Sequence, residues 1–133
     1  MIVVDVNILM YLVLRGEHTE LAAAVAERDP DWSAPRLWRS EMQNALTGYI
    51  RKELLTVHTA MYAFNEADAA VRSQIQVDEL RVFELVASSD CTSYDCEYIA
   101  AAEASSVALV TNDRKLIRTF PKIAVSMRDF LVT

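Results

Sequence analysis

The first fourteen residues, "MIVVDVNILMYLVL", hold one charged side chain, Asp5, near their centre. An unpaired charge inside a buried element costs roughly several kcal/mol, so one uninterrupted core element is excluded. The β-branched start, "MIVVD", suits a short strand of a parallel sheet covered on both faces. Beyond Asp5 the apolar pattern lengthens to helical spacing through Ile8, Leu9, Leu12 and Val13. Asp5 therefore stands where a strand ends, either as a cap for the following helix or as a group kept for chemistry.

The remaining chain repeats that alternation. The Ala-rich "TELAAAVAER", from about Thr19 to Arg28, predicts a helix, and "DWSAPRLW" a short strand with Pro35 at the boundary into the next helix. That helix, "RLWRSEMQNALTGYIRKELL", is the longest predicted, and "TAMYAFNEADAAVRSQI" reads as a further helix throughout. "VDELRVFELVASS" and "CTSYDCEYIAAAEASS" are helical, "VALVTND" is the second clear strand, and "KIAVSMRDFLVT" holds a last short strand and helix. The expectation is an α/β fold over residues 1–133: one domain, a central, mostly parallel sheet, and helices on both sides.

Composition bounds the function. A length of 133 residues and an apolar fraction of 53% support one real core, and 2 Gly with 3 Pro leave little room for linkers. No stretch reaches the roughly 18 apolar residues of a membrane span, and no basic region precedes the N-terminal apolar run, so a signal peptide is not expected. Cys91 and Cys96 lie far from His18 and His58, which excludes a zinc spacing; both cysteines are expected as small core residues in a reducing cytoplasm. The formal charge of −6 disfavours a nucleic-acid partner, unless several acids are metal ligands whose charge a bound cation offsets.

Four carboxylates stand in unusual places. Asp5 ends the first strand, and Asp113 follows the strand "VALVT". Parallel strands open their C-terminal ends on one side, where ligands bind, although Asp is also a favoured helix cap. In the long helix, Trp38, Glu41, Ala45, Gly48 and Tyr49 share a face by the i, i+3, i+4 rule. Glu41 is thus predicted on a core-facing stripe, with no Lys or Arg four residues away to neutralise it. Asp95 completes a capping-box pattern with Thr92, yet shares a face with Tyr98, Ile99 and Ala102. A polar residue accompanies each strand-end acid, Asn7 and Thr111. Two unit charges about 4 Å apart repel by about 4 kcal/mol at an effective dielectric of 20, so gathering four calls for a cation. Oxygen ligands without His or Cys match Mg²⁺ or Mn²⁺ better than zinc, and the chemistry that follows is hydrolysis of a phosphate ester by metal-activated water.

The stretches "VVDVNIL", "SEMQNAL", "TSYDCEYIAAAE" and "LVTNDRKL", in this order and spacing, resemble the PIN-domain ribonucleases, and among them the VapC-type toxins of prokaryotic toxin–antitoxin pairs. The resemblance implies that Asp5, Glu41, Asp95 and Asp113 form the acidic, metal-binding catalytic quartet, with Asn7 and Thr111 as supporting polar residues. It further implies Mg²⁺- or Mn²⁺-dependent cleavage of RNA, homodimerisation and inhibition by a cognate antitoxin. Cys96 departs from the small apolar residue common after the third acid, and "EASSVALV" lacks the glycine usual before its strand. Arg15, Arg36, Arg39, Arg51, Lys52, Arg114, Lys115 and Arg118 would have to supply the RNA track. A haloacid-dehalogenase-like phosphotransferase also begins with a strand-end Asp, but needs a second Asp where this chain has Asn7. A response-regulator receiver lacks its phosphoacceptor Asp and later Lys here. A PIN fold that is catalytically weak or inactive and acts as a binding module is the remaining alternative.

Overall fold

The computed structural model describes residues 1–133. Its strands are β1 (Ile2–Val4), β2 (Trp32–Pro35), β3 (Val71–Ile75), β4 (Leu109–Val110) and β5 (Ala124–Val125). Helices α1 (Val6–Val13) and α2 (Thr19–Arg28) join β1 to β2, and α3 (Leu37–Arg51) and α4 (Val57–Ala70) join β2 to β3. The return to β4 runs through α5 (Glu79–Ala87) and α6 (Ser93–Ser105); α7 (Arg114–Thr119) precedes β5 and α8 (Met127–Val132) follows it. The five strands form one sheet in the order β3-β2-β1-β4-β5, and every pairing is parallel. The α/β architecture read from the sequence is thus observed, with a sheet that is parallel throughout.

β1 is the central strand, and its Ile2, Val3 and Val4 are buried. A strand with neighbours on both edges and helices on both faces has no solvent side, which explains a continuous apolar run instead of an alternating one. Crossovers between parallel strands are right-handed, so the connections running out from β1 to β3 and the connection returning to β4 cover opposite faces. α6, backed by α5, packs on β1, β2 and β4, while α1 packs on α2, α3 and α4, and α8 joins α2. Cys91 and Cys96 are buried and unpaired, as expected. No helix is long and apolar enough to cross a membrane.

The segment "VRSQI" corrects the helix predicted through Ile75. α4 stops at Ala70, and Val71–Ile75 pairs with β2 as the edge strand, Ser73 opposite Ser33 and Gln74 opposite Ala34. Arg72, Ser73 and Gln74 are all exposed, so the strand has no alternating apolar signature, and Arg and Gln are good helix formers. The open edge of β2 decides the conformation. Pairing overrides local propensity there.

Trp38, fully buried on α3, stacks on Phe64 of α4 with ring centroids 5.5 Å apart. Truncation of so large a buried ring leaves a cavity. Trp38→Ala should therefore cost about 3–5 kcal/mol in urea denaturation, and a cost under about 1 kcal/mol would show that α3 is not anchored there.

Candidate functional site

From β1 the chain winds out through β2 to β3, then returns to place β4 on the other side of β1. The direction of winding reverses between β1 and β4, and in open parallel sheets ligands bind at the strand C-termini beside such a switch point. Asp5 follows β1, and Thr111, Asn112 and Asp113 follow β4. These ends are tied together. The Thr111 hydroxyl donates to Asp5 Oδ2 and accepts the Asp113 amide at 3.0 Å. Asp5 Oδ1 accepts the Ile8 amide at 3.2 Å and so caps α1; Asp113 Oδ1 accepts the amides of Lys115 and Leu116 at 2.9 and 3.2 Å and caps α7. Both strand-end acids are caps. Capping occupies one oxygen of each; the second oxygen of Asp5 takes the Thr111 hydroxyl, and that of Asp113 is left for other partners.

Glu41 reaches the same edge from α3, though not from the stripe predicted for it. The buried residues of α3 are Trp38, Met42 and Leu46, while Gly48 and Tyr49 are exposed. The i, i+4 row over Phe64 took the core face, and Glu41 lies half-buried on its flank. Its partner is Tyr98 of α6, whose hydroxyl donates to Glu41 Oε1 at 2.6 Å. Asp95 sits in the first turn of α6, where its amide donates to the Thr92 hydroxyl at 3.1 Å. Tyr98, Ile99 and Ala102 on its face are buried, as predicted.

The charges act on one another in series. Burial pushes the Asp5 carboxyl from its ordinary value near 3.8 to about 6; the Thr111 and Ile8 hydrogen bonds oppose this, and the Glu41 charge adds to it. Burial also raises Glu41, against the Tyr98 hydrogen bond and with help from Asp95 and Glu97. Asp95 is raised by burial and by Asp113, with Thr92 and Lys115 pulling the other way. Tyr98 is pushed far up by burial and by the Glu41 charge, so it remains a donor. The four acids thus form one chain of mutual repulsion across the sheet edge, Asp5 to Glu41 to Asp95 to Asp113.

The donor set is all oxygen and carries excess negative charge, which fits Mg²⁺ or Mn²⁺ in chemistry. As the side chains stand, no three carboxylate, imidazole or thiolate groups converge with metal-ligand geometry. Sequence reasoning missed the Glu41–Tyr98 bond, although Tyr98 lay on the Asp95 face. It also missed Glu97, a further half-buried acid raised by burial and by Glu79. Asn7 is exposed, and its backbone amide favours the Asp5 charge. Of the basic residues, Arg39 is committed elsewhere: it pairs with Asp68 at 2.6 Å and lies over the Trp38 and Phe64 rings. Lys115, itself exposed, pairs with Asp90, and Arg15, Arg36, Arg51, Lys52, Arg114 and Arg118 are exposed.

Residues 2–121 match a family model described as "PIN domain". No curated protein matches the chain in sequence. Among solved structures, the crystal structure of PAE2754 from Pyrobaculum aerophilum superposes with a TM-score of 0.75. The alignment covers 98% of this chain and 93% of that one at 24% identity, a likeness of fold.

A carboxyl whose folded-state pKa exceeds its unfolded value holds its proton more tightly when folded. The Asp5 contribution to stability is therefore complete below about pH 4 and is lost as pH rises through about 6. For a shift of this size the loss is about 3 kcal/mol at most, of which about 1 kcal/mol falls between pH 5 and 7. Without divalent metal, the melting temperature should drop by a few degrees from pH 5 to pH 7, and Asp5→Asn should flatten that slope. A wild-type profile that rises with pH over this range would contradict the assignment.

Proposed function

Because the chain belongs to the PIN-domain family, whose members are typically nucleases, we propose that it is a metal-dependent endoribonuclease acting as the toxin of a toxin–antitoxin pair. The observation that carries this reading is the meeting of acids at one sheet edge: Asp5 and Asp113 are joined through Thr111, Glu41 is held by Tyr98 of α6, and Asp95 stands in the first turn of that helix. Neighbouring acids with so little positive charge of their own are stabilised by a bound cation. In this reading Asp5, Glu41, Asp95 and Asp113 hold Mg²⁺ or Mn²⁺, and Asn7 and Thr111 support them. The bound metal supplies activation of the attacking water and neutralisation of charge on the phosphodiester.

The chain's own groups prepare that site. Thr111 donates to Asp5 Oδ2 and so keeps it an acceptor, while Tyr98 orients Glu41 in the same way. Lys115, fixed against Asp90, brings a positive charge to Asp95 and is available to a phosphate oxygen. Homodimerisation is supported by large apolar side chains left exposed on α4 (Val57, Met61, Tyr62) and on α5 (Leu80, Phe83). Two unpaired buried cysteines suit a reducing cytoplasm. The lack of convergence among the acids favours a second reading, a weakly active or inactive PIN-fold module that binds RNA or protein partners, among which an antitoxin is expected in both cases.

Cleavage of total RNA or tRNA with Mg²⁺ or Mn²⁺ separates the two. Asp5→Asn, Glu41→Gln and Asp113→Asn should each lower the rate at least about 100-fold, with the fold retained in melting curves. Asp95→Asn should do the same, with stability level or lower because Thr92 loses an interaction. Full metal-dependent activity in the Asp5→Asn protein would sink the mechanism. Millimolar Mn²⁺ should also raise the melting temperature of the wild type, and an unchanged value would count against the metal site. Assembly is checked by sedimentation equilibrium: a dimer is expected at micromolar concentration, and a monomer would remove that part of the proposal.

A further inference from the structure

One turn along α1 from Asn7, the helix presents Tyr11, whose ring lies 4.5 Å from that of His18, inclined by 44°. Both rings line a cavity of about 470 Å³, within the roughly 300–1,000 Å³ usual for small-molecule sites. Asn7 and Arg15 line it too, as do Tyr49, near the end of α3, and Leu54 beyond that helix. Tyr49 is 38% exposed and Leu54 65% exposed, so part of the aromatic and apolar wall is open to solvent.

This cavity adjoins the acidic edge by a specific bond. The Asn112 side-chain amide donates to the Tyr11 hydroxyl at 3.0 Å, and Asn112 is the residue between Thr111 and Asp113. Tyr11 also stands six residues beyond Asp5, about 9 Å of helix rise. A strand whose phosphate lies at the acids would thus carry a neighbouring base to this cavity. Aromatic faces stack on any base, a contribution that tolerates sequence changes. Arg15, exposed at the rim, offers the positive charge that the flanking phosphate needs. The one acid on the rim, Glu17, is turned to His18, 3.4 Å from its Nε2.

We propose that Tyr11, His18 and Tyr49 form a stacking subsite for a nucleobase next to the cleaved phosphate, with Arg15 holding the adjoining backbone. The inference rests on the nuclease reading for the cleaved phosphate, but its test does not require cleavage. A single-stranded oligoribonucleotide containing 2-aminopurine, titrated with the full-length Asp5→Asn protein in Mg²⁺, reports stacking as quenching of its fluorescence. Added Tyr11→Leu or His18→Ala should weaken binding by about fivefold or more and relieve the quenching. Tyr11→Phe, which keeps the ring and loses the Asn112 bond, should retain most of both. Melting curves identify any variant that fails to fold, and the exposed positions Tyr49→Ala and Arg15→Ala extend the series. Binding and quenching unchanged in both Tyr11→Leu and His18→Ala would overturn the subsite, as would a parent protein that does not quench the probe. Wild-type protein that quenches the probe yet cleaves no RNA in Mg²⁺ or Mn²⁺ would instead sink the nuclease reading and leave the stacking site standing.

Discussion

The buried Asp5 carboxylate joins three pieces of the chain at one point. It ends β1, caps α1 through Ile8, and receives the Thr111 hydroxyl from the end of β4. Thr111 then accepts the Asp113 amide, which sets the start of α7. A buried carboxylate is tolerated only when hydrogen bonds replace its lost water, and here those bonds come from a helix N-terminus and a neighbouring strand. The alignment of β1 with β4 therefore fixes the positions of Asp5 and Asp113 together.

Those bonds do not fully offset burial, and the Asp5 carboxyl remains well above its ordinary range. Glu41 and Asp95 show the same imbalance, each with one good hydrogen-bonding partner and an acid nearby. Such a row stores electrostatic free energy that structural caps do not require. The proposed cation site would give a physical reason for retaining it. The formal charge of −6, which taken alone argues against an RNA partner, becomes compatible with one when part of that charge is a ligand set.

The position of the row is as informative as its composition. It lies at the C-terminal ends of β1 and β4, where the winding of the sheet reverses. The basic side chains come from separate stretches of the chain, and one of them, Arg39, is spent on Asp68 and two aromatic rings. Recognition of a nucleic acid by this surface would then rest less on bulk charge than on stacking and on metal-bridged phosphate, the balance expected for single-stranded substrates.

Local pattern alone determined much of this protein. Continuous apolar β-branched residues identify β1 because a central parallel strand has no solvent face, and capping chemistry identifies the starts of α1, α6 and α7 because Asp5, Thr92 and Asp113 each satisfy nearby amides. The same pattern marks Asp5 and Asp113 at strand ends and Asp95 on the buried face of α6. Tertiary structure alone decided three things. Val71–Ile75 became a strand because β2 offered an unpaired edge, a partner that lies far away in sequence. Glu41 moved to the flank of α3 because Trp38, Met42 and Leu46 filled the space against α4, and packing, unlike periodicity, distinguishes adjacent helix faces. Tyr98 met Glu41, and Asn112 met Tyr11, across separations that no local spacing encodes. Short-range chemistry is written in neighbouring residues; which side chains meet across the sheet edge depends on strand order, and strand order is settled only when the whole chain closes around β1.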